Sequence, residues 1–356
     1  MKILYLLCIL LLSGCMHVKK ENAVPTTVWE SQVLSTAPNY RMDTIETAND
    51  FIYAKQFLVY ADSVLVVANK KHIDGYFIEL YHLKTKKKIA RLFRLGDGPQ
   101  EMLSAIVYLS GKQLLVNDYV KGQLAVVHLD SLLRDSTYTV LPKPHNVIGS
   151  PTAVPYKEGF LLENPYCFAD DAADIRQEAP RFIATDGKSV YTEKNRYKYW
   201  TRNVSVDGCI IAHPQQTRIV YASMHQSVLE IYDAGLHLQR LIKGPVDLHA
   251  KYSLTGEADR MMNVSFKEFI PYAYMTYYAD ENSVYLSYVG ACLTSEMEMK
   301  DLSGWILKLD WEGNLIDCIR MESYVLSISK GKDGIYVTVS NSDETPVLMK
   351  VYENMD

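Results

Sequence analysis

The sequence predicts an all-β protein, a six-bladed β-propeller of four-stranded blades whose ring is closed by an N-terminal strand. Three observations carry that expectation. Six short apolar segments resemble one another at blade-like intervals, the strand after each marker recurs, and two units end in the same Gly-Pro punctuation.

The chain opens with a secretion signal. Lys2 supplies a short positive region, Ile3 to Leu12 is an apolar run too short to span a bilayer, and Leu12-Ser13-Gly14-Cys15 forms a lipobox. Such signals resemble those of bacterial lipoproteins, which are cut before the cysteine; its thiol then receives a diacylglycerol and its amino group a further acyl chain such as palmitate. Residues 1–14 are therefore expected as a lipoprotein signal peptide and Cys15 as the lipidated residue, anchoring the protein to a membrane. Residues 15–33 are polar and lack a sustained apolar period, which reads as a tether, with the propeller over 34–356.

The six markers begin their apolar runs at Val64, Leu114, Phe160, Ile219, Val284 and Ile335, with gaps of 50, 46, 59, 65 and 51 residues. Those gaps suit a four-stranded blade. Phe77–His82 and Val228–Asp233 then share an apolar-Glu-apolar-Tyr core, and Trp305–Asp310 has the same outline. Each leads through a turn into an outer strand. Gly98-Pro99 and Gly244-Pro245 follow two such outer strands 146 residues apart, about three blades, which favours six blades over seven. The last blade then lacks a strand, and the segment around Tyr40 to Thr47 is expected to supply it, hiding the sheet edge. Two stacked β-sandwiches are the alternative reading of strands at this spacing.

Composition narrows the function classes. A hydrophobic fraction of 48% and a charged fraction of 22% describe a globular body, and a formal net charge of −5 gives no basic field for nucleic acid. Beyond Cys8 and Cys15, the cysteines are Cys167, Cys209, Cys292 and Cys318, scattered so that three disulfide pairings are open. Twenty-six tyrosines against nine phenylalanines suit half-buried strands.

The segment Arg94-Leu95-Gly96-Asp97-Gly98-Pro99-Gln100-Glu101, following a lipobox and opening a second blade, resembles the TolB-like six-bladed propeller lipoproteins of Bacteroides-type bacteria. Gly96, Gly98, Pro99 and Glu101 match that family's G-x-G-P-x-E turn, while Gln100 stands where Gly is common. The resemblance implies a fold and an envelope compartment. Physically the motif is a turn: glycine tolerates positive φ, proline fixes the next φ, and Glu101 accepts hydrogen bonds from turn amides.

Among candidate sites, Arg196, Tyr197, Tyr199, Trp200 and Arg202 combine rings for stacking with guanidinium groups for carboxylate or sulfate. This cluster is the expected ligand site. Tyr272, Tyr274, Tyr277 and Tyr278 are expected to pack between blades. His213, His225, His237 and His249 recur every 12 residues, yet show no known metal-ligand spacing, so no metal site is assigned. Asp170, Asp171 and Asp174 fall in a polar insertion without an EF-hand pattern, so no cofactor is expected and Ca²⁺ is the one ion worth testing. Asp43-Thr44-Ile45, Asp62-Ser63-Val64 and Asp130-Ser131-Leu132 resemble short O-glycosylation acceptors of exported proteins.

No nucleophile elbow, HExxH, Walker loop or kinase signature is present in the sequence. The expected function is a lipid-anchored cell-envelope module that binds a protein, peptide or glycan and no nucleic acid, with no catalytic residues assigned. The alternative is a metal-dependent propeller hydrolase or lyase with its site in the central channel. Met16-His17-Val18-Lys19-Lys20 lacks an acidic surface-export run, which points to the outer membrane, facing the periplasm.

Overall fold

Each of the six apolar markers becomes the second strand of a blade. A second strand is flanked by strands on both edges and by neighbouring blades on both faces, so its residues are continuously apolar rather than alternating. In the computed structural model, which describes residues 24–47, 51, 53–73, 75–135, 139–142, 152–163, 181–185, 190–192, 208–248, 252–255, 263–266, 268–341 and 345–352, six four-stranded units follow one another along the chain. Blade one is Ala54–Tyr60, Val64–Ile73, Tyr76–His82 and Lys88–Arg94. Blade two is Ile106–Ser110, Gln113–Asp118, Gln123–His128 and Thr139–Pro142, and blade three is Ala153–Tyr156, Gly159–Glu163, Phe182–Thr185 and Val190–Thr192. Blade four is Gly208–Ala212, Arg218–Ser223, Val228–Asp233 and Leu238–Lys243. Blade five is Ile270–Ala279, Val284–Leu293, Gly304–Leu309 and Leu315–Met321.

Blade six closes the ring. Val325–Gly331, Gly334–Ser340 and Pro346–Tyr352 are completed by the N-terminal strand Met42–Ile45, which pairs antiparallel with Pro346–Tyr352 in the register Met42↔Val351 to Ile45↔Leu348. The missing strand thus comes from within the expected segment. The pairing covers what would otherwise be the free outer edge of the C-terminal strand.

Closure is reinforced on the inner side. The inner strand of blade one has an edge with no strand beside it, and blade six supplies hydroxyls instead. Thr338 Oγ1 accepts from Phe57 N at 3.0 Å and donates to Phe57 O at 2.6 Å, Ser327 Oγ donates to the same carbonyl, and Val59 N donates to Ser329 Oγ at 2.9 Å. All three hydroxyl residues are buried, where an unpaired amide would be costly.

One boundary differs from expectation. The tether was expected to reach residue 33, yet Thr26–Val28 adds a parallel fifth strand to blade four, in the register Thr26↔Leu241 to Val28↔Lys243. A short helix, Gln32–Ser35, follows. Trp29 and Leu34 are buried in the core shared by blades four and five, and Arg240 ties the strap down by donating to Thr27 Oγ1, Glu312 O and Asn314 Oδ1. Two large apolar anchors in a polar stretch are too few to create a period, which is why the sequence pattern hides them. The strap also covers the outer edge of blade four.

The tyrosines are more deeply buried than half-exposed strands require. Tyr156, Tyr221, Tyr232, Tyr274, Tyr285 and Tyr288 are essentially inaccessible, and several hydroxyls find partners inside: Tyr156 donates to Ala234 O, Tyr221 to Glu163 and Tyr232 to Glu230. The recurring Glu-x-Tyr of the third strand is one such internal pair, Tyr81 to Glu79 at 2.8 Å in blade one and Tyr232 to Glu230 at 2.6 Å in blade four. Cys209, Cys292 and Cys318 are free thiols, and burial pushes Cys209 and Cys318 up to about 12.

Two outcomes test this account. Thr338→Val leaves the Phe57 amide unpaired and is expected to lower unfolding free energy by about 1–3 kcal/mol in urea titration, while Thr338→Ser stays near wild type. Trp29→Ala is expected to cost about 3 kcal/mol by the same measurement; a wild-type midpoint for that variant would mean the strap does not dock.

Candidate functional site

A propeller brings one end of every inner strand to the channel axis, so side chains far apart in sequence converge there. Here the turns between first and second strands enclose a cavity of about 700 Å³ to which all six blades contribute. Blade one gives Tyr60 and Ala61, blade two Ser110 to Gln113 and His128, blade three Val154 and Pro155. His213, Pro214 and Gln216 of blade four, Tyr277, Tyr278 and Asp280 to Asn282 of blade five, and Lys330 of blade six complete the lining.

The floor is made where opposite blades meet. Ala279 of blade five pairs with Ser110 of blade two, Gly111 N donates to Ala279 O at 2.8 Å, and the Tyr108 and Tyr277 rings stack at 4.8 Å with a 15° interplanar angle. The cavity is therefore a cup with an aromatic base rather than an open pore.

The walls combine committed ion pairs with available polar groups. Asp280 Oδ1 accepts from Asn282 N and Ser283 N, while its Oδ2 accepts from Lys330 Nζ at 2.8 Å across the blade five to six junction. Asp130 accepts from Tyr60 Oη and pairs with Lys112 at 3.0 Å, and these contacts hold its carboxyl below the usual range. His213 Nδ1 accepts from Gln215 N, so Nε2 carries the proton and meets Glu281 O at 3.2 Å. Burial pushes the hydroxyls of Tyr60, Tyr277 and Tyr278 well above their ordinary value, so all three stay protonated and act as donors or stacking faces. What the arrangement offers is ring stacking, hydrogen bonding and charge of both signs.

The sequence-derived candidates fare differently. Arg196, Tyr197, Tyr199, Trp200 and Arg202 lie outside the described residues, as do Cys15, His249 and Asp170, Asp171 and Asp174. Tyr274, Tyr277 and Tyr278 are buried between blades, and Tyr277 also floors the cavity. The periodic histidines are not gathered. His213 lines the cavity; His225 is buried at the other end of blade four against Phe266 and Tyr272, with Nδ1 2.7 Å from Pro271 O; His237 contacts Asp233 in an outer turn. Among the described residues no group of three or more His, Cys, Asp and Glu stands ready to hold a metal.

The Gly96–Glu101 turn behaves as a structural corner. Glu101 Oε2 accepts from Gly98 N at 2.9 Å, and a side chain at Gly96 would collide with that carboxylate. Lys121 Nζ from the neighbouring loop donates to Gly98 O and Glu101 O at 2.7 and 2.8 Å. Asp118, fully buried, accepts from Leu103 N, Ser104 Oγ, Val120 N and Lys121 N, fixing the junction between blades one and two.

The cavity had one signal in the sequence. Tyr-Ala-Asp ends the inner strand of blade one at Tyr60-Ala61-Asp62 and that of blade five at Tyr278-Ala279-Asp280, followed by a Ser-Val at the marker strand, directly in blade one and after Glu281-Asn282 in blade five. In both, the aspartate reaches a lysine of blade six: Asp280 accepts from Lys330 Nζ while also holding its own turn, and Asp62 accepts from Lys332 N and Tyr336 Oη.

Known proteins bear on the fold. A member of the DUF4221 family from Bacteroides vulgatus ATCC 8482 is similar over 89% of this chain and 97% of its own, at 11% identity and a TM-score of 0.55. A protein of Bacteroides fragilis NCTC 9343 named for export is similar over 92% of this chain and 99% of its own, at 8% identity and a TM-score of 0.47. No curated protein matches the sequence. The family model described as TolB-like 6-blade propeller-like matches residues 46–330, from just past the closing strand to the inner strand of the last blade. With the six blades and their N-terminal closure, that match makes this chain a member of the TolB-like six-bladed propeller family.

Proposed function

We propose that the protein is a lipid-anchored binding module of the cell envelope, held by acylated Cys15 at the outer membrane facing the periplasm, and that it takes part of a partner protein, a peptide or a glycan into the central cup. The observation that carries this reading is the cup itself. Its volume of about 700 Å³ lies in the range of ligand sites, roughly 300–1,000 Å³.

Its chemistry favours a polar chain over a purely apolar ligand. The base offers rings on which a sugar or a side chain stacks, while Gln113, His128 and Glu281 at the wall present donors and acceptors to hydroxyls or amides. Asp280 and Asp130 already have cationic partners, which leaves their lysines as neutralised walls rather than strong anion traps. The family fold supports the reading of a rigid platform, and propellers host many functions, so the site must carry the argument.

Two measurements test it. Screening the mature protein against glycan and peptide libraries is expected to yield a ligand whose binding falls about tenfold or more in Gln113→Ala/His128→Ala, two lost hydrogen bonds, with the unfolding midpoint unchanged. A ligand that binds that double variant and a cup-blocking Gln113→Trp as well as wild type would place binding elsewhere. Mass spectrometry of the mature amino terminus is expected to find Cys15 first in the chain and acylated; an unmodified Cys15, or a chain still carrying residues 1–14, would remove the anchor from the proposal.

A further inference from the structure

The cup, the point where the N-terminal strap meets the ring, and a lysine-rich turn all lie on one face of the propeller. The turn joins the third and fourth strands of blade one and reads Leu83-Lys84-Thr85-Lys86-Lys87. Leu83 N donates to Ser63 O at 2.7 Å, which sets it beside the first-to-second-strand turn of its blade, the end at which Tyr60 and Ala61 line the cup. Lys84 and Lys87 are exposed, with no ion-pair partner among the described residues, while Lys86 donates to Leu83 O. Exposed His82 and Lys88 flank them, Lys88 being paired with Glu79.

The strap reaches the ring from the same side. Thr26–Val28 runs parallel to Leu238–Lys243, so the strap begins at the end of blade four where the turn at Ala234 to His237 lies. His213, Pro214 and Gln216, which line the cup, stand at that end too, because Arg218 pairs with Asp233. Nine residues carry the chain from Cys15 to Val24, a reach of about 30 Å when fully extended. Blades one and four stand opposite each other in a ring of six.

We propose that the Lys84–Lys87 turn rests on anionic phospholipid headgroups, so that the propeller lies face-on to the membrane with the mouth of its cup toward the bilayer. The inference rests on the anchor reading given above. A tether at blade four alone leaves the ring free to swing; a second, electrostatic contact on the opposite side of the same face removes that freedom. Anionic lipid surfaces attract basic residues individually and additively over a short range, and an acyl anchor combined with a basic patch is a recognised pairing of weak signals. Of the acidic turn residues on this face, Asp62 beside the lysines is held by Lys332 N and Tyr336 Oη, Asp333 lies one blade away, and Glu158, Glu281 and Glu312 lie two blades away, while Glu46 acts on Lys86 and leaves Lys84 and Lys87 as the contact. A ligand for the cup would then be collected from the membrane side, from a lipid-linked or membrane-held chain.

The test uses the mature chain, residues 15–356, with Cys15→Ser so that acylation contributes nothing. Sedimentation with phosphatidylglycerol-containing vesicles at low salt is expected to carry the protein down, with release at high salt and no binding to phosphatidylcholine alone. Lys84→Ala/Lys87→Ala is expected to weaken binding about 5-fold for each lysine, about 25-fold together, with an unchanged unfolding midpoint. Equal binding by wild type and variant, or no binding at low salt, overturns the inference. Mass spectrometry of the native protein separates the two readings: an acylated Cys15 with no vesicle binding overturns only the lysine contact, and vesicle binding by a protein whose native form lacks the acyl group overturns only the anchor.

Discussion

The whole ring depends on how six inner strands satisfy their exposed backbone edge without another strand to pair with. In a flat sheet an edge faces water, but at a propeller axis it faces other edges in a space largely filled by side chains. This protein meets the constraint in different ways around the axis. Blade six offers serine and threonine hydroxyls to blade one, blade one offers the Gln56 amide to Val107 O of blade two at 2.9 Å, and blades two and five meet directly through Ser110, Gly111 and Ala279. The last solution crosses the axis and makes the base of the cup. The cavity is thus a by-product of edge satisfaction, placed where opposite inner strands stop touching.

The same logic explains the buried charges. Third strands carry Glu79 and Glu230 facing a neighbouring strand or blade, each accepting from a tyrosine two residues on. Burial would raise the Glu79 carboxyl, but Lys88, Tyr81 and Arg91 together bring it below its ordinary value. Glu230 instead takes both Nε and Nη2 of Arg181 across the boundary from blade three, with both partners almost fully buried, and the Arg181 guanidinium lies 4.3 Å from the centre of the Tyr221 ring. A buried pair of this kind contributes little net stability against an apolar substitute, yet breaking one side is costly, so it works as a registry pin between blades. Ring closure demands such pins, because a one-blade error in docking has nearly the same hydrophobic content as the native order.

How legible this was in the sequence follows from burial. Second strands such as Val64 to Val67 and Val284 to Leu286 are covered on every side, so they are uniformly apolar and stand out. Inner strands are less visible because edge satisfaction needs Ser327, Ser329 and Gln56 within otherwise apolar runs. The closing strand Met42–Ile45 was found by counting rather than by pattern, since its exposed and half-buried residues carry little periodicity. Trp29 and Leu34 were missed because a strap needs only two anchors, not a repeat. The cup was illegible as a whole, each blade giving it one to a few residues, and only the repeated Tyr-Ala-Asp hinted at a shared end. Sequence favoured instead a dense aromatic and basic run at 196–202, whose density made it conspicuous without saying what it faces.

A cup built on a fixed axis constrains how it can discriminate. Its base is tied by a backbone bridge and a stacked tyrosine pair, and its wall at Asp280 is tied by four hydrogen bonds, to Asn282 N, Ser283 N, Lys330 Nζ and, through the backbone carbonyl, Trp311 Nε1. Closing around a ligand would break several of those contacts at once, three of the four at Asp280 being partly buried. Variation has more room at the rim, where Gln113 opens a strand, His128 ends one and Gln216 sits on a turn. Residues at strand ends and in turns tolerate substitution better than those inside the blades. The fold therefore separates two roles: axis contacts preserve the ring, and residues at the rim are free to vary without disturbing it.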